Sequence, residues 1–111
     1  MIKNTLIDRL YEEFGEPART TKKVQAWHIT NHFGFVVEID KPDSGAFANV
    51  WLPYPFGSIE MPDIAHTVYP HDKGRHSNTY TTPGLQRGET VLKLKITTQN
   101  DIECLIDYLK P

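Results

Sequence analysis

The sequence has few of the features that mark several common classes of protein. Its 111 residues include one cysteine, Cys104, which excludes an intrachain disulfide framework and a zinc site built from cysteines. The longest apolar runs fall far short of the roughly 18 residues that a membrane-spanning helix needs, and no basic-then-apolar signal peptide opens the chain. These absences predict a soluble, cytoplasmic protein with no membrane partner.

Strong net charge is also missing, but the charges are spread unevenly. The formal net charge is −2 at pH 7, which argues against a protein that coats nucleic acid without selectivity. Residues 1–16 and residues 98–111 each carry a net charge of −2, so the middle of the chain carries +2. A basic surface is therefore expected in the middle of the sequence.

Two helical patterns stand at the ends of the chain. Apolar residues between Ile2 and Phe14 recur with the helical period, and Gly15 followed by Pro17 supplies a stop. Near the other end, Thr98 is a candidate N-cap with Asp101 three residues later, and apolar residues continue at helical spacing from Ile102 to Leu109. The sequence therefore predicts an N-terminal and a C-terminal amphipathic helix.

Strand patterns lie between the two helices. Segments of alternating polarity span Val24–Thr30 and Phe35–Asp40, which predict a β-hairpin, then Phe47–Leu52 and Val91–Ile96. Pro53 and Pro55 end the third strand, and residues 59–64 fit a short strand or coil equally well. The prediction for residues 1–111 is a single α+β domain: an antiparallel sheet of about four to five strands, flanked by an N-terminal and a C-terminal helix packed on one face. The opposite face, which would carry Lys93 and Lys95, is then mildly basic and open to a ligand.

Most of the polar chemistry lies in residues 66–89. Three of the five histidines fall there, and five prolines and glycines interrupt the stretch, so we expect a loop. Phosphate groups are bound by charged and neutral donors on such segments, and neighbouring aromatic rings stack on bases. The candidate ligand-binding residues are Tyr69, Lys73, Arg75, His76, Asn78, Tyr80 and Arg87, together with Lys93 and Lys95.

In this interpretation each residue type has its own task. Lys73, Arg75 and Arg87 supply charge, His76 and Asn78 supply directional hydrogen bonds, and Tyr69 and Tyr80 supply stacking surfaces. The sequence thus favours an intracellular, non-catalytic binding module without a cofactor, whose partner bears phosphate. Nucleic acid is the preferred partner, and a nucleotide is the second choice. A solvated loop, whose Ser, Asn and Thr side chains only satisfy the backbone of turns, explains the same residues as well.

Two further alternatives remain open. His66, His71 and His76 recur every five residues, and with Asp72 they could hold a divalent metal such as zinc in a small metal-dependent enzyme. That spacing fits neither face of a strand nor of a helix, so only a folded-back loop would bring the ligands together. A homo-oligomeric interaction protein is the third alternative, which would use an open sheet edge or the aromatic patch of Trp51, Tyr54 and Phe56.

Overall fold

The computed structural model describes residues 1–55, 57, 59–75 and 77–110. Helix α1 spans Ile2–Phe14 and helix α2 spans Gln99–Leu109. The strands between them are β1 (Arg19–Thr20), β2 (Val24–His28), β3 (Gly34–Glu38), β4 (Ala48–Pro53), β5 (His66–Tyr69) and β6 (Val91–Ile96), with a short 3₁₀ turn at Ser77–Thr79. Within the described residues, no helix combines the length and the apolar character needed to cross a membrane.

The six strands form one open sheet in the order β1-β2-β3-β4-β6-β5, and every neighbouring pair is antiparallel. The predicted α+β fold is confirmed, with six strands rather than four to five. The additional strands, β1 and β5, are short and lie at the two edges. The prediction of a loop throughout residues 66–89 is wrong for His66–Tyr69, because these residues pair with β6 through their backbone while most of their side chains stay exposed.

Both helices pack on the same face of the sheet, as predicted. Leu92, Leu94 and Ile96 of β6 point into the core that this face forms with the helices. The helices contribute Leu6, Leu10, Ile102, Leu105, Ile106 and Leu109 to the same core. Strand alternation therefore sends Lys93 and Lys95 to the opposite face.

The helix ends follow the sequence signals. The Thr98 hydroxyl accepts a hydrogen bond from the Asp101 N–H at 3.0 Å, and the Asp101 carboxylate accepts one from the Thr98 N–H at 3.2 Å, which completes the predicted capping box. At the other end of the chain, Gly15 has a φ of 76° and donates its N–H to the carbonyl oxygen of Tyr11 at 2.9 Å, which ends α1.

Residues 70–75 and 77–90, which we call the cover segment, lie on the sheet face opposite the helices. Leu85 of this segment is fully buried in a second core with residues of β2, β3, β4 and β6, namely Val24, Ala26, Val36, Trp51 and Val91. The Gly34 N–H also donates to the carbonyl oxygen of Pro83 at 2.8 Å. The expectation that this face is open is therefore wrong for the part under Leu85, whereas the part around Lys93 and Lys95 lines a cavity.

Candidate functional site

The strand register brings polar residues together on the sheet face opposite the helices, beside the area against which Leu85 of the cover segment packs. Lys93 of β6 stands opposite Trp51 of β4 on one side and Thr67 of β5 on the other, while Lys95 stands opposite Asn49. Residues that pair directly across an antiparallel sheet point to the same face. Three strands distant in sequence thus supply one surface of two ammonium groups, an amide and a hydroxyl, which lies over the buried indole of Trp51.

Both lysines of this surface lie over aromatic rings. The Lys93 ammonium is 5.2 Å from the centre of the Trp51 ring, and the Lys95 ammonium is 4.5 Å from the centre of the Phe47 ring. Trp51 is only 2% exposed, so its ring is held in place by the packing around it, and Lys93 lies over this ring. A cation over a ring at an exposed site is stabilised by about 0.5–1 kcal/mol, which is enough to favour one position of a flexible side chain.

Tyr69 connects this surface to the cover segment. Its ring meets the Trp51 ring edge-on, with centroids 4.8 Å apart and planes at 71°. The Lys73 ammonium lies 4.3 Å from the centre of the Tyr69 ring. The first cation of the cover segment is therefore positioned by a residue of the sheet.

Tyr80 contacts two arginines within the cover segment. The guanidinium carbons of Arg75 and Arg87 lie 4.7 and 4.4 Å from the centre of its ring. Arg75 is held further, because its guanidinium donates to the carbonyl oxygen of Gln86 at 2.8 Å and to the hydroxyl of Thr79. Burial lowers the pKa of Arg75 from its ordinary value and the neighbouring Arg87 lowers it further, but a guanidinium stays charged in proteins.

Two adjacent cavities result from this arrangement. The sheet cavity, of about 410 Å³, is lined chiefly by Phe47, Asn49, Thr67, Tyr69, Lys93 and Lys95. The loop cavity, of about 220 Å³, is lined by Lys73, Arg75, Tyr80 and Arg87, with Asp72 and Glu89 as its acidic members. Because Lys73 of the loop cavity lies over Tyr69 of the sheet cavity, the two are neighbours on one surface.

The electrostatic asymmetry of the molecule is sharp. Residues 66–95 contain five basic residues and two acidic ones, a formal net charge of +3. In the described parts of the chain, every ion pair lies in what we call the helical layer, which consists of α1, α2 and Lys110 at the end of α2. In this layer Arg9 binds Glu12, Glu13 and Glu103, and Lys110 binds Glu13. Among the described residues, none of Lys73, Arg75, Arg87, Lys93 and Lys95 forms an ion pair, although Asp72 and Glu89 line the loop cavity and the charge of Glu89 acts on Arg75. The basic cavities thus lie on the opposite side of the sheet from the acidic helices.

The structure gives Asn78 a contact within the fold that the sequence did not reveal. Its backbone carbonyl and its side-chain oxygen accept hydrogen bonds from the Arg19 guanidinium at 2.9 and 3.0 Å, which fasten the cover segment to β1. His76, the other predicted directional donor, lies outside the described residues. Sequence reasoning also missed Phe47, Asn49 and Thr67, although the alternation of the predicted strand Phe47–Leu52 already placed Phe47, Asn49 and Trp51 on one face.

Three residues of the metal alternative are described, and they are spread over β5 and the following turn. His66 lies on the edge strand, and its Nδ1 is 2.8 Å from the carbonyl oxygen of Ile64. His71 and Asp72 are exposed in the turn. No group of three or more His, Cys, Asp or Glu side chains among the described residues could hold a metal ion. Since His76 is not among them, the four-residue site stays a prediction.

The aromatic patch predicted for self-association is divided by the fold. Trp51 is buried under the cover segment, Tyr54 is exposed, and Phe56 lies outside the described residues. A homo-oligomer stays a prediction. Comparison of the chain with protein-family models, with curated proteins and with solved structures found no match, so its function has to be inferred from the geometry of the basic face.

Proposed function

We propose that the protein is a non-catalytic module that binds a phosphate-bearing partner, with nucleic acid as the preferred ligand. One observation carries this proposal: five cations on one face lie 4.3–5.2 Å from the centres of aromatic rings, and none of them forms an ion pair among the described residues. They are Lys73, Arg75, Arg87, Lys93 and Lys95. Because residues 66–95 keep a formal net charge of +3 after Asp72 and Glu89 are counted, these positioned cations can bind an anion.

The aromatic contacts favour binding by reducing its entropic cost. A free lysine or arginine side chain loses up to about 2 kcal/mol of rotamer entropy when a ligand fixes it. Here the rings restrict each side chain beforehand, and a phosphate is left with less ordering to impose. The basic residues of the helical layer differ, because Arg9 and Lys110 are already bound to glutamates.

A ligand with several phosphates suits this surface better than a single phosphate does. The cations fall into two adjacent cavities, with Lys93 and Lys95 in one and Lys73, Arg75 and Arg87 in the other. A nucleic acid backbone presents phosphates in series, and each contact releases condensed counterions. Arg75 already uses part of its guanidinium on Gln86 and Thr79, so we expect Lys73 and Arg87 to make the closer phosphate contacts in the loop cavity.

The salt dependence of binding to a labelled oligonucleotide tests the proposal. We expect the logarithm of the association constant to fall linearly with the logarithm of salt concentration, with a slope of about −0.7 to −0.9 per phosphate contact. The double variant Lys93→Gln/Lys95→Gln should bind at least about tenfold more weakly, with a slope reduced by roughly 1–2. Arg87→Gln should reduce the slope by roughly 1.

The matched control is Lys22→Gln/Lys23→Gln, which removes the same charge from two exposed residues between β1 and β2. If net charge alone drives binding, the two double variants will lose affinity equally. Equal losses, binding that is insensitive to salt, or no binding of the oligonucleotide would overturn the proposal.

A further inference from the structure

We propose that the sheet cavity receives an unpaired base, and that the nucleic acid bound by this face is therefore single-stranded. This inference rests on the proposed function and names the class of ligand. Two observations support it: the side chains that line the sheet cavity, and the position of the two helices on the other side of the sheet.

The walls of the sheet cavity combine the surfaces that a nucleotide needs. Phe47 and Tyr69 provide two aromatic rings, and Lys93 and Lys95 line the same cavity, on the sheet face to which the register assigns Tyr69. Asn49 and Thr67, which line the cavity beside the lysines, offer an amide and a hydroxyl to the polar edge of a base. The volume of about 410 Å³ lies within the range of sites that enclose small ligands.

A bound base would gain more from Phe47 than the resting lysine does. Stacking a base on an aromatic side chain raises affinity by roughly tenfold, whereas a cation over an exposed ring is worth roughly twofold to fivefold. Lys95 is exposed and its stem is flexible, so its ammonium can leave the ring and meet the phosphate of the incoming nucleotide. After this exchange the base stacks on the Phe47 ring, and the Lys95 ammonium binds the phosphate of the same nucleotide.

A duplex does not offer its bases to such a cavity. Its base faces are stacked inside the helix, and its edges are reached through grooves that admit a helix or a β-ribbon. Helices α1 and α2 lie on the other side of the sheet, in the acidic layer. The described residues of the basic face belong to a sheet and a packed cover segment, which suit splayed, single-stranded bases.

Four ligands with the same number of phosphates test this inference on the wild-type protein. They are a single-stranded oligonucleotide, the corresponding duplex, an abasic single strand and inorganic polyphosphate. We expect the intact single strand to bind about tenfold more tightly than each of the other three, at one salt concentration. In the variant Phe47→Leu that preference should shrink severalfold, while Tyr54→Leu, outside both cavities, should keep it.

The outcomes separate the inference from the proposed function. If all four ligands bind equally with a normal salt dependence, or if the duplex or polyphosphate binds more tightly than the single strand, the inference fails while binding of phosphate stands. If no ligand binds, both fail. The abasic strand keeps the test decisive even if Phe47→Leu does not fold, because it removes the base without changing the protein.

Discussion

Trp51 donates its indole N–H to a carboxyl oxygen of Glu38 at 2.8 Å, and both side chains are buried on the sheet face that carries the cations. This hydrogen bond fixes the plane of the indole ring. Lys93 lies over that ring, and Tyr69 packs against it. The geometry of the sheet cavity therefore depends on a buried hydrogen bond between residues that do not line it.

Removal of this bond should destabilise the fold. In Trp51→Phe the buried Glu38 carboxyl loses its donor, and an unsatisfied buried polar group costs about 1–3 kcal/mol, in addition to the lost packing of the larger ring. Glu38→Gln should cost less, because the amide oxygen still accepts the indole N–H. Urea denaturation measures both effects, and a Trp51→Phe variant as stable as the wild type would contradict the expectation.

The ion pairs of the helical layer should make the stability of the protein depend on pH. Hydrogen bonds from Lys110 and Arg9 lower the pKa of Glu13 below its ordinary value of 4.5, and a hydrogen bond from Arg9 lowers the pKa of Glu103 in the same way. A carboxylate whose folded pKa is depressed stabilises the fold fully above its unfolded pKa. This stabilisation is lost as the pH falls from about 4.5 through the lower folded pKa.

We therefore expect the wild type to lose more of its free energy of unfolding between pH 6 and pH 3 than the variant Glu13→Gln/Glu103→Gln does, as measured by urea denaturation at each pH. The control is Glu60→Gln/Asp63→Asn, which changes two exposed carboxyl groups that form no ion pair within the described part of the chain. Parallel pH profiles for the wild type and the first variant would refute this prediction.

The cover segment should tolerate a methyl group at one glycine and not at another. Gly84 has a φ of +84°, and a Cβ there would lie 2.6 Å from Pro53 Cγ and 2.8 Å from the carbonyl oxygen of His32. Gly74 has open space around it. Gly84→Ala should lower stability by at least about 1–2 kcal/mol and weaken ligand binding, whereas Gly74→Ala should be close to neutral. Thermal unfolding compares them, and similar melting temperatures would show that the segment is not anchored at Gly84.

Local sequence signals accounted for the helices and for most of the sheet. Gly15 ends α1 and Thr98 begins α2, as their residue types predict, because caps are bonds between residues a few positions apart. Strand β6 spans Val91–Ile96 as predicted, since one of its faces is buried and the other is polar. Strand β5 was missed for the opposite reason: an edge strand with mostly exposed side chains shows no alternation.

The sequence predicted the cations of the candidate site but not the residues that position them. Lys93 and Lys95 are placed on the open face by the alternation of their own strand. Their aromatic partners are Trp51 of β4 and Phe47, which immediately precedes β4; this strand pairs with β6 across a long separation in sequence, and no local pattern encodes that register. The bond between Arg19 and Asn78 is equally non-local. Contacts that depend on the pairing of distant segments cannot be predicted from local sequence patterns.

Metal analysis separates the binding module from the metal-dependent enzyme. If the protein is the module that we propose, removal of divalent ions with a chelator should leave the affinity for the oligonucleotide unchanged. A stoichiometric ion in the purified wild type that is absent from His71→Ala would instead favour the enzyme, because His71 is one of the predicted ligands. His28→Ala is the matched control, since His28 is also exposed but lies on β2.

Tyr80 provides a test of positioning as distinct from charge. Its ring contacts the guanidinium groups of Arg75 and Arg87, and its hydroxyl lies 3.3 Å from the backbone nitrogen of Arg75. Tyr80→Leu removes these contacts and keeps both cations, so we expect affinity for the oligonucleotide to fall about threefold to tenfold. The slope against salt should stay the same, because the number of phosphates neutralised is unchanged.

Arg87→Gln gives the contrasting pattern in the same assay, since it removes a charge and should reduce the slope by roughly 1. Tyr54→Leu, which changes an exposed tyrosine outside both cavities, should alter neither the affinity nor the slope. If Tyr80→Leu lowers the slope as much as Arg87→Gln does, then Tyr80 maintains the cavity itself and does not merely orient its cations. Circular dichroism of each variant establishes that the comparison is made between folded proteins.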